Sequence, residues 1–540
     1  MKKLTFVFIL FTYSLFAQEE KKGGTALNPA DLAKSLIAKQ FLYAGNFPDA
    51  LSAFRDIEKN NPNNDNVKYY IGLCYSSLGQ REKAKESFLA SLAINSKSDN
   101  EAHFLMGKIY HYEADLEKAK QEFKTYMTSG KLNAETMEEC NLYLAQCETA
   151  QGLMGNPWQV VINNMGAGIN SKYDDKNPCI TADGKNLVFT SRRPESATAP
   201  LDVEGDGKYF EGIYMAHPDS GTTAFSKAAL VPGSINSPAH DACTSISPDG
   251  KLIYVYKNDV NDKASRGGNI FVSKSNNGKW RTPESLGKPI NSTYWEGGAC
   301  ISPDGKKIFF TSERPGGQGK SDIWMIEKIN KKEWGKPVNL GSDINSPEDE
   351  GGLFLAPDGK TLFFCSNGPK SMGSYDIFKS VYEYGRWTSP VNVGYPINSV
   401  GKEGQFSIGA DARYAYFSSD RMGGLGESDL YQIDLNDYAI LEKDGRHKTD
   451  NGLCILKGTL REGFEGYGVP DVEVTLTDDQ GKAIASTFSN DIGEYFFTIP
   501  GGAYKIHTKK SGYKDNDEFL ELKANSKETL VYEKGYLLKR

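Results

Sequence analysis

The sequence predicts a multidomain fold: an α-helical repeat solenoid, then a β-propeller, then a small β-sandwich. A helical pattern recurs near the N-terminus at steps of 34 and 35 residues. A strand-rich frame recurs five times in the middle of the chain, and a third pattern of short alternating strands ends it. Periods of this length are typical of repeat architectures. At 540 residues the chain is too long for one hydrophobic core, so several domains are expected.

The first residues predict export. Lys2 and Lys3 precede an apolar run from Leu4 to Phe16, and Ala17 offers a small residue at a cleavage position. Residues 1–17 therefore have the pattern of a secretory signal peptide, and the run is too short for a membrane-spanning helix. No later stretch approaches about 18 consecutive apolar residues, so no transmembrane segment is expected in the mature chain.

Composition and motifs exclude several classes of function. The net charge is −7 and no Lys/Arg cluster marks a nucleic-acid footprint. The spacing of the eight cysteines favours buried free thiols over a disulfide framework, because Cys140 and Cys147 lie seven residues apart in a predicted helix. No zinc-binding spacing, HExxH motif or GxSxG motif is present. We therefore predict no catalytic residues, metal or cofactor, and a protein that is not an enzyme.

Residues 31–152 carry the helical repeats. The segments 44–54, 78–88 and 113–123 align with an alanine and a phenylalanine in register, and small residues precede an aromatic on the neighbouring helix. This pattern resembles the tetratricopeptide repeat, and 134–152 is expected to be a capping helix. Stacked helix pairs form a groove for a peptide. The tyrosines predicted to line it, with a core position as the equal alternative for each, are Tyr43, Tyr69, Tyr70, Tyr75 and Tyr110.

Residues 158–436 carry the propeller pattern. The tripeptide INS recurs at Ile169, Ile235, Ile290, Ile344 and Ile397, and each copy leads into short strands with a tight turn between the first two. The first four copies have four strands, and the last copy ends at a third strand without a fourth. The segment Trp158–Gly166 reads as a fourth strand without the first three, so it is expected to complete the last blade. This predicts five blades, or six if one irregular blade escapes the pattern. The segments SPDGKKIFFTSERPGG and SSDRMGGLGESDLY resemble the WD40-like repeat of the TolB type.

An acidic residue follows the INS serine by four positions in every copy. These carboxylates enter the first strands, which line the channel of a propeller, so a ring around the channel mouth is one hypothesis. Such a ring would bind a cation, a basic peptide segment or a partner loop. The favoured alternative is structural, with hydrogen bonds to backbone N–H groups or to an arginine of a neighbouring blade. The five residues are Asp175, Asp241, Glu296, Glu350 and Glu403.

Two Arg–Asp pairs bracket Gly-rich loops. Arg314 and Asp322 are eight residues apart, as are Arg421 and Asp429. We interpret each as an ion pair within one blade that holds the loop. Phosphate binding by the glycines is the alternative, but no helix follows them, as a phosphate-binding loop requires.

The C-terminal end predicts a small sandwich. Residues 437–452 are polar and read as a linker, and in 453–540 the alternation of Val472, Val474 and Leu476 is typical of a half-buried strand. Glycines and tyrosines, among them Gly458 and Tyr495, resemble the carboxypeptidase regulatory-like domain, a prealbumin-type β-sandwich. That module carries no zinc ligands and implies no peptidase.

The order of the three parts resembles the Bacteroidota envelope proteins typified by PorE, which are associated with type IX secretion. The resemblance implies a scaffold or adaptor in the periplasm, peripheral at the outer membrane, whose partners are envelope proteins such as an outer-membrane protein of a secretion system. The family carries an OmpA-like domain after the sandwich, whereas this sequence stops there, so peptidoglycan binding is not carried over. The alternatives are a cell-wall or carbohydrate-binding protein, with Trp295 as a candidate contact, and a propeller enzyme.

Overall fold

The computed structural model describes residues 26–96, 101–129, 132–203, 206–219, 224–257, 268–276, 278–330, 333–435, 438, 440–441, 452–463, 466–525 and 528–540. The chain divides into two compact units, Met1–Gln151 and Gly152–Arg540. The predicted signal peptide 1–17 lies outside the described residues, as does most of the predicted linker 437–452. Each unit is described below by itself.

The N-terminal unit is helical. Its helices in chain order are α1 Pro29–Tyr43, α2 Phe47–Asn60, α3 Asp65–Ser77, α4 Arg81–Ile94, α5 Glu101–Tyr112, α6 Leu116–Ser129 and α7 Ala134–Met154. Asparagines begin the first three helices, since the side chains of Asn28, Asn46 and Asn64 each accept a backbone N–H of the first turn. The helices pack as pairs, α1 with α2, α3 with α4 and α5 with α6. The last helix occupies the segment predicted as a cap.

Small residues in the first helix of a pair make room for an aromatic of the second. A Cβ built on Gly72 would lie 2.6 Å from the Phe88 ring, and one built on Gly107 would lie 2.6 Å from the Phe123 ring. Both phenylalanines are fully buried. The glycines therefore set the close approach of α3 to α4 and of α5 to α6, which explains why they recur in the repeat.

The second unit is rich in small, mainly antiparallel sheets. It begins with β1, Val161–Asn164, and four sheets follow in chain order. Sheet one comprises β2 Asp175–Ile180, β3 Leu187–Ser191, β4 Gly212–Ala216 and β5 Ala229–Leu230. Sheet two comprises β6 Ala242–Ile246, β7 Leu252–Lys257, β8 Asn269–Asn276, β9 Lys279–Trp280 and β10 Glu284–Ser285. Sheet three comprises β11 Glu296–Ile301, β12 Lys307–Ser312, β13 Asp322–Glu327 and β14 Val338–Asn339. Sheet four comprises β15 Glu350–Leu355, β16 Thr361–Ser366, β17 Asp376–Glu383, β18 Arg386–Trp387 and β19 Val391–Asn392.

Sheet five joins the two ends of this region. It contains β20 Glu403–Ile408, β21 Tyr414–Ser419 and β22 Asp429–Asp434, and β1 is its fourth strand. The pairing of β1 with β22 is antiparallel and sets Val161 opposite Asp434, so the predicted completion of the last sheet by the N-terminal strand is confirmed. The first strands contact each other in a closed order: β2 with β6, β6 with β11, β11 with β15, β15 with β20 and β20 with β2. We call this arrangement the five-sheet ring.

The turn between the first two strands of each ring sheet uses a left-handed residue. Glycine holds it in sheets one to four, with φ of 71°, 71°, 69° and 69° at Gly184, Gly250, Gly305 and Gly359. In sheet five the sequence GADAR puts Ala412 there at φ 53°. The Asp-Gly pattern therefore supplies the conformation that the turn requires.

Two further sheets form the C-terminal part. Sheet six comprises β23 Leu453–Glu462, β26 Glu494–Pro500, β29 Val531–Glu533 and β30 Tyr536–Leu538. Sheet seven comprises β24 Glu473–Thr477, β25 Ala483–Phe488, β27 Gly502–Lys509 and β28 Asn516–Leu522. Leu456 of sheet six and Val474 and Ile506 of sheet seven share one core. The alternation predicted for Val472, Val474 and Leu476 is confirmed, since all three are buried.

Sheet six packs against the five-sheet ring. Leu453 and Ile455 form a buried cluster with Ala182 and Ala410, which lie in the first turns of sheets one and five. The eight cysteines, all within the described ranges, are buried free thiols. Across the described helices, none combines the length and the hydropathy that a membrane crossing requires.

Candidate functional site

The first helices of the pairs lie along one face of the N-terminal unit. The Lys39 ammonium of α1 lies 4.5 Å from the centre of the Tyr70 ring of α3. Further along, the Phe104 ring of α5 and the Tyr143 ring of α7 are 5.9 Å apart, and the Lys108 ammonium lies 5.3 Å from each of these rings. This face, which we call the first-helix face, is the surface with which helical solenoids bind extended segments.

Only some of the predicted groove tyrosines lie on this face. Tyr43 is 68% exposed at the end of α1, and Tyr70 is half-buried beneath Lys39. Tyr69 and Tyr75 are buried in the core. The ring of Tyr110 contacts the ammonium groups of Lys85 and Lys118, both on second helices.

The predicted placement of Tyr69, Tyr75 and Tyr110 in the groove is therefore corrected. The Tyr75 hydroxyl accepts a hydrogen bond from Arg55 of α2 at 2.8 Å, so it too faces the second helices. Lys39, Leu73 and Lys108 occupy the same position in successive repeats, at steps of 34 and 35 residues. The lysines of the first-helix face could have been predicted from this spacing.

Four of the repeated carboxylates begin first strands of the ring and Asp241 directly precedes β6, as predicted for residues that enter these strands, but all five are buried. Their exposed fraction is 2% for Glu350 and 0% for the other four. Each accepts hydrogen bonds from the N–H and the hydroxyl of the serine four residues before it. In sheet three these distances are 2.9 and 2.6 Å from Ser292 to Glu296, and in sheet five they are 2.8 and 2.6 Å from Ser399 to Glu403. Asp175 and Asp241 have the same contacts with Ser171 and Ser237.

These contacts do not form an exposed charged funnel at a channel mouth. Every carboxylate is buried and accepts hydrogen bonds from the INS serine in the connection that precedes its strand. The geometry is that of the structural alternative, because a buried carboxylate requires hydrogen bonds or a counter-charge. The binding-ring hypothesis for Asp175, Asp241, Glu296, Glu350 and Glu403 is corrected on this ground.

Four of the five carboxylates also have a cation partner. The Arg193 guanidinium lies 2.7 Å from Asp175, and Lys257 lies 2.7 Å from Asp241. Arg314 lies 3.1 Å from Glu296, and Arg421 lies 3.2 Å from Glu403. The arginines also donate to the carbonyl of the INS isoleucine, for example Arg421 to Ile397 at 2.7 Å, so each links a strand to the connection that precedes it.

The predicted Arg–Asp pairs are therefore corrected. Arg314 pairs with Glu296 and not with Asp322, and Arg421 pairs with Glu403 and not with Asp429. Asp322 instead accepts the backbone N–H of Gln318 at 2.5 Å and of Gly319 at 3.1 Å. Asp429 accepts those of Leu425 and Gly426 in the same way. The aspartates hold the Gly-rich loops through backbone hydrogen bonds, and the arginines neutralise the first-strand acids.

Sheet four departs from this pattern. In sheets one, three and five the arginine that pairs with the first-strand carboxylate stands 18 residues after it. The residue 18 positions after Glu350 is Gly368, which has no charge to offer. Glu350 accepts hydrogen bonds from Ser346 and from Ser366 at 2.8 Å, but from no cation in the described ranges. Burial raises the pKa of Glu350 to about 7.

The asparagine of each INS tripeptide has a role that sequence reasoning missed. Its side chain accepts the backbone N–H of the third strand in the preceding sheet, as Asn345 does from Ile323 and Asn398 from Ile377, both at 2.8 Å. Asn170 accepts from Leu430 at 2.8 Å, so sheet one holds sheet five in the same manner. Asn precedes Ser in all five copies of the tripeptide, and this recurrence could have indicated a structural role for the asparagine.

A cleft separates part of sheet six from the turns of sheets one to three. Its volume is about 1140 Å³, and Lys251, Lys306 and Lys328 line one wall while Lys457 and Arg461 line the other. Acidic groups lie among them, and Lys251 is 3.5 Å from Glu494. No described group of three or more His, Cys, Asp or Glu side chains is arranged to hold a metal ion.

Comparison with known proteins supports the repeat assignment. A family model described as tetratricopeptide repeat matches residues 67–98, which span most of α3 and α4. No curated protein matches the chain.

Solved structures match at low similarity. A tetratricopeptide domain of P58(IPK) is 21% identical over 23% of this chain and 34% of its own, with a TM-score of 0.22. The Yersinia enterocolitica type III secretion chaperone SycD, in complex with a peptide of the translocator YopD, is 14% identical over 23% of this chain and 97% of its own, with a TM-score of 0.22. An α-L-arabinofuranosidase from Lactobacillus brevis is 13% identical over 50% of this chain and 91% of its own, with a TM-score of 0.31. This chain thus spans about a third of the P58(IPK) chain, and at these TM-scores no function is inferred from the three structures.

Proposed function

We propose that this protein is a non-enzymatic scaffold that binds an extended segment of a protein partner on the first-helix face. The observation that carries the proposal is the tetratricopeptide match together with the aligned first helices. Lys39, Tyr70, Phe104 and Lys108 give that face aromatic and cationic groups at the spacing of the repeat. Such a surface suits an extended peptide, because successive helices offer contacts along its length.

We also propose that the five-sheet ring is a five-bladed β-propeller of the TolB type and that sheets six and seven form a prealbumin-type sandwich. The closed order of first-strand contacts and the β1–β22 pairing support five blades. The shared core of sheets six and seven supports a sandwich. In this arrangement the sandwich covers the end of the propeller that carries the Asp-Gly turns.

The compartment and system form a third part of the proposal. The signal-peptide pattern and the order of modules support an exported protein of the PorE type, peripheral at the outer membrane and associated with type IX secretion. Its partner would then be an envelope protein, such as an outer-membrane component of the secretion machinery. This part rests on resemblance in architecture.

A cell-wall or carbohydrate-binding function is the second candidate, and Trp295 was its sequence signal. The Trp295 indole donates to the Tyr256 hydroxyl at 3.2 Å, and a Cβ on Gly297 would lie 1.9 Å from its ring. The indole is thus engaged in packing between sheets two and three. The observation that keeps this candidate is the polar cleft beside sheet six, which is large enough for an oligosaccharide.

The proposal is tested by site-specific photocrosslinking in cells. A photoreactive phenylalanine analogue replaces Tyr43 or Lys108 on the first-helix face, and the matched control replaces Lys59, which is exposed on second helix α2. We expect discrete adducts with one envelope protein from Tyr43 and Lys108 and none from Lys59. Absence of adducts from the first two positions, or the same adducts from all three, would contradict binding on the first-helix face.

A further inference from the structure

Adjacent sheets of the ring meet where the third strand of one begins beside the first strand of the next. The Glu350 N–H donates to the Ser321 carbonyl at 2.8 Å, and the Glu403 N–H donates to the Tyr375 carbonyl at 2.8 Å. A first-strand carboxyl therefore lies beside the residue that opens the preceding third strand. We call each such place a sheet boundary.

Three sheet boundaries bring two buried carboxyls together. Asp429 meets Asp175 between sheets five and one, Asp376 meets Glu403 between sheets four and five, and Asp322 meets Glu350 between sheets three and four. All six carboxyl side chains are 2% exposed or less. At the other two boundaries the third strand opens with Gly212 or Asn269, so the residue that opens it is not an acid. Glu211, which precedes Gly212, is paired with Lys176 at 2.6 Å.

Two of the three double-acid boundaries contain an arginine. Arg193 pairs with Asp175 and Arg421 pairs with Glu403. Within the described ranges the boundary between sheets three and four has no such cation, because the corresponding residue is Gly368. This boundary therefore combines two carboxyls with no counter-charge, which a buried site can accommodate by retaining a proton.

The surroundings of Glu350 make a compensating charge harder to supply. Met372, from the loop that contains Gly368, is fully buried. A Cβ on Gly368 would lie 3.2 Å from the Ser346 hydroxyl, so little free space remains beside the carboxyl.

The other titratable groups near this boundary do not neutralise Glu350. Burial is the main cause of the raised pKa of Glu350, and the negative charge of Asp322 on β13 raises that pKa further. Asp349 hydrogen-bonds the phenol of Tyr375, whose pKa is raised mainly by burial. Lys320 on the adjoining loop is paired with Glu348 at 2.7 Å. Lys402 lies over the Tyr375 ring at 5.4 Å, with no ion pair to Glu350.

We propose that the boundary between sheets three and four is a pH-sensitive joint of the ring, closed while Glu350 holds a proton and locally opened when that proton passes to solvent. Loss of the proton leaves two negative charges in a buried site, and their repulsion and desolvation favour separation of β13 from β15. At the other four boundaries the first-strand carboxylate is paired with a cation. The joint would let a change of pH across neutrality move the loops of sheets three and four without unfolding the ring.

The test is hydrogen–deuterium exchange of the full chain at pH 6 and pH 8, expressed as protection factors so that the intrinsic pH dependence of exchange is removed. Peptides that cover 318–325 and 346–355 report on the joint. Peptides that cover 268–275 and 292–301 report on the control boundary between sheets two and three, where Arg314 pairs with Glu296 and the third strand opens with Asn269. The boundary between sheets four and five is not a control, because burial and the Glu403 charge raise the pKa of Asp376 there. We expect protection at the joint to fall about tenfold at pH 8, in line with the change in ionised fraction around a midpoint near neutrality. Protection at the control boundary should stay constant.

Two variants separate a proton effect from a general loosening. Glu350→Gln keeps the hydrogen-bonding shape without a titrating group, so its protection at the joint should be independent of pH. Arg314→Met should transfer the pH sensitivity to the boundary between sheets two and three, because it leaves Glu296 buried without its cation. Equal pH dependence at both boundaries of the wild-type protein, or none at either, would overturn the proposal even if a variant failed to fold.

Discussion

At the scale of the residue, Glu403 illustrates how the ring accommodates a buried charge. Two serines and one arginine surround its carboxylate, with the Ser419 hydroxyl at 2.7 Å and the Arg421 guanidinium at 3.2 Å. A buried ion pair adds little net stability, but removal of one partner leaves an uncompensated charge. The Ser and Arg residues recur in the repeated sequence because the buried carboxylate requires hydrogen bonds and a counter-charge.

This gives a first prediction for Arg421→Met. The substitution should lower the free energy of unfolding by about 3 kcal/mol, because it leaves Glu403 buried without its cation. Chemical denaturation of the variant measures the loss. The double variant Arg421→Met/Glu403→Gln is the control and should recover most of it. A double variant no more stable than the single one would show that the arginine acts through its packing on Phe417 and Tyr431.

A second prediction concerns the helical repeats. Gly72→Ala should lower the melting temperature of the helical unit, since the new methyl group would meet the buried Phe88 ring at 2.6 Å, and overpacking of this kind costs about 1–3 kcal/mol. The matched control is Gly152→Ala in α7, where no atom lies within 4 Å of the new Cβ. The control should be neutral or slightly stabilising, because alanine favours the helix. Equal effects of both substitutions would contradict the steric explanation.

At the scale of the element, the sequence predicts the strands well and their partners less well. The INS spacing placed the first strands, and the Asp-Gly turns placed the hairpins. The fourth strands are shorter than the pattern suggests, two residues in the case of β14, because only Val338 and Asn339 reach ladder register with β13. The contacts of the acids were not predictable, since Glu296, 18 residues before Arg314, and Asp322, eight residues after it, are equally plausible partners of the arginine in sequence alone.

The third prediction concerns β1. A chain that begins at Gly168 lacks β1 and leaves the edge of β22 unpaired, so we expect it to self-associate through that edge. A chain that begins at Pro157 keeps the β1–β22 ladder and should remain monomeric. Size-exclusion chromatography with light scattering distinguishes the two. A monomeric chain from Gly168 onward would mean that closure by β1 is dispensable for shielding the edge.

At the scale of the whole molecule, Glu350 predicts how stability varies with pH. Its pKa is about 7 in the folded protein, against 4.5 for an ordinary glutamate. Because the folded state keeps the proton to higher pH, its contribution to stability falls as pH rises from about 4.5 to about 7 and is constant above. The full loss is about 3 kcal/mol for a shift of this size.

Urea unfolding of the wild-type protein and of Glu350→Gln at pH 5 and pH 8 measures this contribution. The quantity measured is the free energy of unfolding of the variant minus that of the wild-type protein. This difference should be more positive at pH 8 than at pH 5. Taking the difference removes the contributions of the other acids. A difference that is the same at both pH values would show that Glu350 has an ordinary pKa in the fold.

The INS tripeptide has an evolutionary consequence. Its isoleucine is buried, its asparagine holds the third strand of the sheet before it, and its serine holds the acid of the sheet after it. A stretch of chain that runs from one INS to the next thus carries one complete set of the contacts made across a boundary. Duplication or loss of such a stretch by recombination would leave every remaining junction with its INS hydrogen bonds, so a change in the number of sheets would come in whole units.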